Sequence, residues 1–123
     1  MSVFDDQAMF MKACGQTVGE KNKAQFELYK KLIGEEVNEF YEAADAGDLV
    51  EMFDALLDIM VVCIGAGHSA GFPMEDGWDA VQISNLRKID PATGQVLRRE
   101  DGKILKPLGW RSPNLKRILE NQK

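Results

Sequence analysis

The segment from Leu49 to Ile64 constrains the fold more than any other part of the chain. Its only charged side chains are Glu51, Asp54 and Asp58, set among Leu, Val, Met, Phe, Ile, Ala and Cys. On a helix, with about 100° between successive residues, these carboxylates share an arc of about 60°, and apolar residues cover nearly all of the remaining circumference. Such a helix must be packed on most sides. The segment therefore predicts a helical bundle with an acidic stripe that faces its interior.

An acidic stripe in a packed interior requires positive charge nearby. Ionised carboxylates are costly to bury unless they are paired, and this helix has no Lys or Arg one turn away from them. Asp54 and Asp58 also form a like-charged i, i+4 pair, which costs about 0.2 to 0.5 kcal/mol on an isolated helix. A solvated acidic face is the simpler alternative, but exposed faces usually mix both signs. Glu51 has a second explanation, because Asp48 and Glu51 form a capping-box-like start after Gly47.

The preceding helix, predicted from Lys23 to Ala46, carries a second acidic group in the run LIGEEVNEF. Glu36 and Glu39 interrupt its apolar arc, whereas Glu35 lies at the edge of that arc, either as an outer ligand or as a solvated residue. The short break at Gly47 and Asp48 predicts an antiparallel helical hairpin. The two sets of carboxylates should then converge on one site.

A carboxylate cluster of this kind favours magnesium. Mg²⁺ prefers hard oxygen ligands, retains several waters and often completes its shell with substrate phosphates. The chain has one His and two well-separated Cys, which does not match the usual zinc ligand sets. We therefore expect Mg²⁺, with Mn²⁺ as an alternative occupant.

These motifs resemble a known family. EEVNE (Glu35, Glu36, Glu39) followed by EMFD (Glu51, Asp54) and Asp58 is similar to the E-E-x-x-E … E-x-x-D signature of MazG-like all-α nucleoside triphosphate pyrophosphohydrolases. Their relatives include dimeric dUTPases and phosphoribosyl-ATP pyrophosphohydrolase. Downstream, SNLRK and DGKILKP resemble the segments that follow the helical core in bacterial and phage members. The stretch between the acidic motifs is short for the group, unlike that of the dUTPase branch.

The resemblance implies cleavage between the α and β phosphates of a nucleoside triphosphate, giving a nucleoside monophosphate and pyrophosphate. A polyphosphate repels anionic attackers, so this chemistry needs a divalent cation to neutralise charge and polarise the attacking water. By motif position, the expected metal ligands are Glu36, Glu39, Glu51, Asp54 and Asp58. Glu35 or Glu36 is the expected base that activates the water.

Substrate contacts are expected from the polar and basic residues after the acidic motifs. The candidates are Asn85, Lys88, Lys103 and Lys106, with Arg111 as a further cation. Lys88 and Lys106 rank first on the resemblance, although basic residues are ordinary on surfaces and Lys88 near a helix end also favours the helix dipole. Trp78 and Trp110 are candidates for stacking on a base, but a single Trp more often serves packing.

The whole chain predicts an all-α, four-helix MazG-like bundle with a small β-hairpin and a short C-terminal helix, completed by oligomerisation. A single domain over 1–123 is expected, with a helical core over about 4–89 and the hairpin and C-terminal segment over about 90–123. The other predicted elements are a helix near Phe4 to Cys14, a third helix closed by Gly71, a fourth from Pro73 to about Lys88 with Trp78, Val81 and Leu86 partly buried, a hairpin over Gln95 to Leu105 around Asp101-Gly102, and a helix from Pro113 through Leu119.

The amino-acid composition and the net charge limit which partners this chain is expected to have. Apolar residues make up 45% of the chain, and a chain this short with nearly all-apolar helix faces predicts a homodimer or tetramer. The net charge of -5 argues against binding a nucleic-acid polymer. No secretory or membrane-spanning pattern is visible, so a cytoplasmic protein without a membrane partner is expected.

Three other features have plain structural explanations. Cys14 and Cys63 give no disulfide pattern, and Cys63 in an apolar helix reads as a small buried hydrophobe. His68 lies beyond the acidic stripe and is expected to be a surface or packing residue. Gly65 and Gly67 are expected to allow close helix packing. Two functional alternatives remain: a phosphoribosyl-ATP pyrophosphohydrolase-like enzyme, or a non-catalytic helical module that binds metal or nucleotide and oligomerises.

Overall fold

Helices dominate the part of the chain that the computed structural model describes, residues 1–121. The elements in that range are α1 (Val3–Ala13), α2 (Lys23–Ala46), α3 (Leu49–Ser69), α4 (Met74–Leu86), β1 (Ile89–Asp90), β2 (Gln95–Val96) and α5 (Leu115–Glu120). The predicted all-α class is confirmed. Residues 122 and 123, the end of the predicted domain, lie outside the described residues. Within 1–121, no helix has the length and apolar character needed to cross a membrane.

Side-chain caps explain where the first three helices begin. Ser2 Oγ accepts a hydrogen bond from the Asp5 amide at 3.1 Å. Asn22 Oδ1 accepts one from the Gln25 amide at 3.1 Å, and Asp48 begins α3 in the same way (below). Each cap satisfies an amide that has no partner inside the helix. The predicted bounds of α2 are confirmed at both ends, because its caps are legible in the sequence.

The α2–α3 hairpin forms as predicted. Gly47 ends α2 in the left-handed conformation, with φ of 68°, which glycine adopts without steric cost. At the opposite end of the pair, the Asn22 amide donates to the Ser69 carbonyl at 2.8 Å, and Gln25 Nε2 donates to Ser69 Oγ at 2.7 Å. The start of α2 therefore lies beside the end of α3, as an antiparallel pair requires.

The chain divides into two compact units, Met1–Met74 and Glu75–Lys123. In the first unit, the core contains Met11, Tyr29, Val62 and Ala66. The Tyr29 ring lies directly on Gly65, where an added Cβ would clash with it. The expectation that Gly65 serves close helix packing is thus confirmed.

His68 is also a packing residue, as expected. It is buried, and its Nε2 lies 2.9 Å from the Phe4 carbonyl oxygen. This contact links the end of α3 to the start of α1. The third helix ends where the sequence predicts, since Gly71 follows it with a φ of 74°.

The prediction that α3 is packed on most sides is wrong for this chain alone. One arc of α3 is exposed, with side chains between 41% and 76% accessible: Leu49, Val50, Phe53, Leu56, Leu57, Met60 and Val61. Cys63 is exposed as well, so its predicted burial is also wrong. The reason is geometric, because α2 and α1 cover only one side of α3.

The second unit departs from the sequence prediction in two places. Trp78 and Leu86 are exposed rather than partly buried, whereas Val81 is half-buried as expected. The packed face of α4 instead carries small residues, and Ser84 is buried there. A small residue permits close approach of neighbouring chain, so the larger side chains point away from that face.

The predicted hairpin around Asp101-Gly102 is present only as an irregular arm. Leu105 donates its amide to the Leu97 carbonyl at 2.8 Å, and one isolated β-bridge joins Arg98 to Ile104. Regular pairing occurs earlier and was not predicted, between β1 and β2 in antiparallel register. The intervening turn is stabilised by the Asp90 carboxylate, which accepts from the Ala92 amide at 2.9 Å.

Replacement of two helical glycines by alanine should have opposite effects on stability. Gly65→Ala should lower the free energy of unfolding by roughly 1–3 kcal/mol, because the new methyl group overlaps the Tyr29 ring. Gly34→Ala should raise it by about 0.5–1 kcal/mol, because its Cβ meets open space within an α-helix. Urea denaturation followed by circular dichroism measures both. Equal effects of the two substitutions would contradict the packing described here.

Candidate functional site

The acidic stripe of α3 faces the acidic group of α2, as the hairpin predicts. Four carboxylates interact electrostatically across the two helices: Glu36, Glu39, Asp54 and Asp58. Within residues 1–121, no Lys or Arg forms an ion pair with any of them. The structure therefore places like charges together without an ion pair to a cation of the described residues.

Glu36 is one of the two half-buried residues of this group, together with Asp58. One of its carboxylate oxygens, Oε2, is buried, and it has no hydrogen-bond partner among the described residues. Burial raises the pKa of Glu36, and its hydrogen bond to Glu39 and the neighbouring negative charges raise that pKa further. An unpartnered buried carboxylate oxygen is unfavourable unless a proton or a cation satisfies it.

Asp58 shows the same effect from the α3 side. Burial raises the pKa of Asp58, and the charge and hydrogen bonding of Asp54 raise it further, with Glu39 as a weaker contributor. Asp54 lies one helical turn before Asp58, so the i, i+4 repulsion expected from sequence is present in the fold. Both half-buried carboxyl groups hold a proton more strongly than ordinary Asp and Glu side chains do.

An open cleft of about 280 Å³ continues the cluster toward the hairpin turn. Five carboxylate residues line it: Glu39, Glu42, Asp48, Glu51 and Asp54. Ala43 and Ala55, both buried, also line it, and their small side chains let α2 approach α3 closely. Glu39 and Asp54 belong both to the cleft and to the group of four interacting carboxylates, so they are central to the site.

Glu51 contributes its backbone amide to the cap of α3, and the residue also lines the cleft. Asp48 Oδ1 accepts a hydrogen bond from the Glu51 amide at 3.1 Å, while the Asp48 amide donates to the Ala43 carbonyl at 3.0 Å. The second half of a capping box would use the Glu51 carboxylate on the Asp48 amide, which is already engaged. The Glu51 carboxylate is therefore available to the cleft.

Two acidic residues, Glu42 and Asp48, line the cleft although neither was predicted as a site residue. Glu35 was predicted as one and does not line it. Glu42 lines the cleft, although its position on the helical wheel is well outside the apolar arc of α2 and by itself indicates surface charge. Asp48 lines it in addition to capping α3. Glu35 is exposed and is neither a cleft residue nor one of the charges that act on Glu36. A wheel places residues by angle alone, so it misses the end of a hairpin, where the turn brings both helices together.

The predicted metal ligands suit a hard cation by chemistry, but they are not arranged around one point. Among residues 1–121, no three His, Cys, Asp or Glu side chains are placed to hold a metal ion. The donor set consists of carboxylate oxygens, and the unpartnered Oε2 of Glu36 shows that at least one donor is unsatisfied. The residue types therefore fit Mg²⁺, whereas the described side chains do not converge on one point.

The predicted substrate residues lie in the second unit. Lys88 Nζ donates to Asn85 Oδ1 at 3.0 Å. The ammonium groups of Lys88 and Lys106 lie 5.1 and 4.9 Å from the ring centre of Trp110. Lys103 is exposed in the irregular hairpin arm. Two open clefts border Trp110, and Lys103 lines neither of them. Three of the four candidates thus cluster near one aromatic ring.

The family model described as phosphoribosyl-ATP pyrophosphohydrolase matches residues 10–85. The chain belongs to this family, which is one of the MazG-like all-α pyrophosphohydrolases. No curated protein matches the chain. The match contains both acidic motifs and ends before Lys88, so the family assignment depends on the helical part.

Removal of one repelling carboxylate should stabilise the metal-free protein. In EDTA at neutral pH, Asp58→Asn should raise the melting temperature by about 1 to 3 °C, because it relieves an i, i+4 repulsion on α3. A carboxyl whose pKa is higher in the folded than in the unfolded chain makes the folded state bind protons more tightly. Stability conferred by this group should therefore fall as pH rises from the ordinary Asp range through the raised pKa.

Differential scanning fluorimetry across pH measures this effect. Asp58→Asn should show a smaller loss of stability than the wild type over that pH range. Asp45→Asn is the matched control, since Asp45 is an exposed α2 carboxylate outside the cleft. A destabilised Asp58→Asn protein in EDTA would contradict the proposed repulsion.

Proposed function

We propose that this pyrophosphohydrolase acts on nucleoside triphosphates and depends on Mg²⁺, cleaving the α–β anhydride to release a nucleoside monophosphate and pyrophosphate. The observation that carries this proposal is the set of carboxylates gathered by α2 and α3 without an ion pair to a described cation. Water adds across the anhydride bond, so the reaction needs only positioning, charge neutralisation and proton removal.

Five carboxylates are the proposed ligands for Mg²⁺, with Mn²⁺ as a substitute: Glu36, Glu39, Glu51, Asp54 and Asp58. When bound, the metal supplies neutralisation of the phosphate charge and polarisation of the attacking water. Glu39 and Asp54 are the strongest candidates, because each belongs both to the group of four interacting carboxylates and to the open cleft.

Glu36 is better supported than Glu35 as the residue that removes a proton from water. One of its carboxylate oxygens, Oε2, is buried beside the other carboxylates without a hydrogen-bond partner among the described residues, so it can accept a proton from a water held there. Glu35 is exposed and lies outside that group. Glu35 is therefore the second candidate for this base.

Substrate binding is proposed for the basic second unit, through Lys88 and Lys106 with Asn85, and with Lys103 as a peripheral cation. The two ammonium groups near Trp110 offer charge to phosphate oxygens. The three lysines lie beyond the residues matched by the family model, whereas Asn85 is its last matched residue, so the lysines are candidates for what sets the substrate of this chain apart.

Phosphoribosyl-ATP is the second candidate substrate, because the matching family is described by that compound. It carries the same triphosphate, so the acidic cleft would act on the same bond. A panel of canonical and modified nucleoside triphosphates and phosphoribosyl-ATP, assayed with Mg²⁺ for pyrophosphate release, separates the two. Turnover of phosphoribosyl-ATP alone would replace the general triphosphate proposal, and no turnover at all would favour a binding module.

Loss of a central carboxylate should abolish turnover without unfolding the protein. Glu39→Gln and Asp54→Asn should each lower kcat/KM by at least about a hundredfold, since each removes a ligand charge while keeping side-chain size. Pyrophosphate release with Mg²⁺ measures the activity, and circular dichroism checks the fold. Asp45→Asn, on α2 but outside the cleft, should retain wild-type rates. Near-normal rates in both cleft variants would refute the site.

We further propose that a second copy of the chain covers the exposed arc of α3. At about 100° per residue, this apolar arc spans about 140° and borders the acidic stripe on one side, while the side packed on α2 borders it on the other. A partner on the arc would therefore enclose the acidic stripe between two packed surfaces. Such enclosure lowers the local dielectric and strengthens charge interactions at the site. A homodimer or a tetramer satisfies this requirement.

A charge placed on the exposed arc should break this assembly. Leu57→Glu should weaken self-association by about a hundredfold, because it buries an unpaired carboxylate in an apolar interface. Leu119→Glu is the control, because Leu119 in α5 is about equally exposed, 46% against 47%. Light scattering coupled to size exclusion gives the molar mass of each variant. A monomeric wild-type protein, or equal dissociation in both variants, would contradict the proposed interface.

A further inference from the structure

Trp110 is the centre of a cationic cluster in the second unit. Its indole Nε1 donates to the Ser84 carbonyl oxygen at 2.8 Å, which fixes the ring against α4. Lys88 Nζ and Lys106 Nζ lie 5.1 and 4.9 Å from the ring centre, within the range of a cation–π interaction. The aromatic ring thus gathers two ammonium groups that would otherwise repel each other.

Two open clefts border Trp110, and their charges differ. The larger, of about 1030 Å³, has three cationic residues in its wall, namely Arg87, Lys106 and Arg111. Its described lining contains no Asp or Glu. The smaller cleft includes Asp90, so its positive charge is partly opposed. The larger cleft is therefore the stronger candidate for an anionic ligand.

The cations of the larger cleft are not used in ion pairs. Within residues 1–121, the ion pairs of this unit join Arg99 to Asp101 and Lys116 to Glu120. No described carboxylate lies within ion-pair distance of the three cleft cations. The surrounding sequence reinforces the imbalance, because 87–123 contains ten Lys and Arg against four Asp and Glu. Like charges gathered in one concave wall attract a polyanion.

Ser84 provides an independent sign of an unfilled interaction. The residue is 5% exposed and lines the same cleft. Its Oγ is buried and has no hydrogen-bond partner among the described residues. Buried hydroxyl groups normally find a partner, so this one leaves a donor unused in the wall of a cationic cleft.

We propose that this cleft is a metal-independent binding site for a polyphosphate chain, such as the triphosphate of a free nucleotide. Arg87 and Arg111 bind phosphate oxygens through their planar guanidinium groups, and Lys106 adds a point charge. Three cations match the charge of a chain of several phosphates better than that of a single phosphate group. The choice of ligand rests on the function proposed above, whereas binding itself does not require the acidic cleft or Mg²⁺.

The test measures binding in EDTA, with inorganic tripolyphosphate as the probe. The variant Trp78→Phe leaves Trp110 as the sole tryptophan, so its fluorescence reports on the cleft. Calorimetry on the wild-type protein gives an independent affinity. We expect saturable binding that weakens with added salt, because the contacts are charged and partly exposed. Inorganic phosphate should bind more weakly than tripolyphosphate.

Arg87→Gln and Arg111→Gln should each weaken tripolyphosphate binding by about tenfold. Arg111→Lys should retain much of the affinity, which guards against a misfolded variant. Lys116→Gln is the control, because it removes one cation of the same unit that does not line the cleft. An equal loss in this control would indicate diffuse attraction and overturn the proposal.

Two other results would also overturn it. One is the absence of tripolyphosphate binding in EDTA, and the other is tighter binding of oligothymidylate that increases with its length, which would assign the surface to single-stranded nucleic acid. The two proposals fail separately. Pyrophosphate release with Mg²⁺ but no binding in EDTA removes only this inference, while binding in EDTA without turnover of any nucleotide removes only the enzymatic proposal.

Discussion

The close packing of α2 on α3 is the contact on which the rest of the first unit depends. Tyr29 lies on Gly65 near one end of the pair, and buried Ala43 and Ala55 keep the helices close at the other. The same packing forces four carboxylates together. Each fully buried large apolar side chain contributes about 1.5–3 kcal/mol to the free energy of folding. Two ionised carboxylates about 4 Å apart repel each other by about 1 kcal/mol in bulk water, and by more at a lower effective dielectric. The apolar contacts can therefore sustain a repulsive site.

Sequence reasoning worked where the signal was local. The end of α2 follows from Gly47, and the hairpin follows from a two-residue break between amphipathic helices. The acidic faces follow from helical periodicity, which places Glu39 and Asp54 toward each other once the helices are antiparallel. The cleft contribution of Glu42 was not accessible in this way, because it depends on how the turn joins the two helix ends.

Periodicity also cannot identify which chain covers an apolar face. The pattern of α3 indicates burial on most sides, yet α2 and α1 cover only one of them. Cys63 and Phe53 are exposed for this reason, although their residue types and spacing predicted burial. In the second unit, the cluster around Trp110 could not be predicted because its residues are far apart in the sequence. The hydrogen bond from Trp110 to Ser84 spans 26 positions and gathers cations that no short motif contains.

The net charge of -5 conceals a division between two oppositely charged parts of the chain. Residues 1–86 contain sixteen Asp and Glu against five Lys and Arg, whereas the basic residues predominate after that point. The family match, over residues 10–85, ends where the sign changes. A polyanion is repelled by the first part unless cations neutralise it, and is attracted by the second without them. Net charge therefore says little here about ligands. The distribution of charge instead favours a division of labour, in which the helical part supplies carboxylates for chemistry and the basic part supplies the first attraction for phosphate.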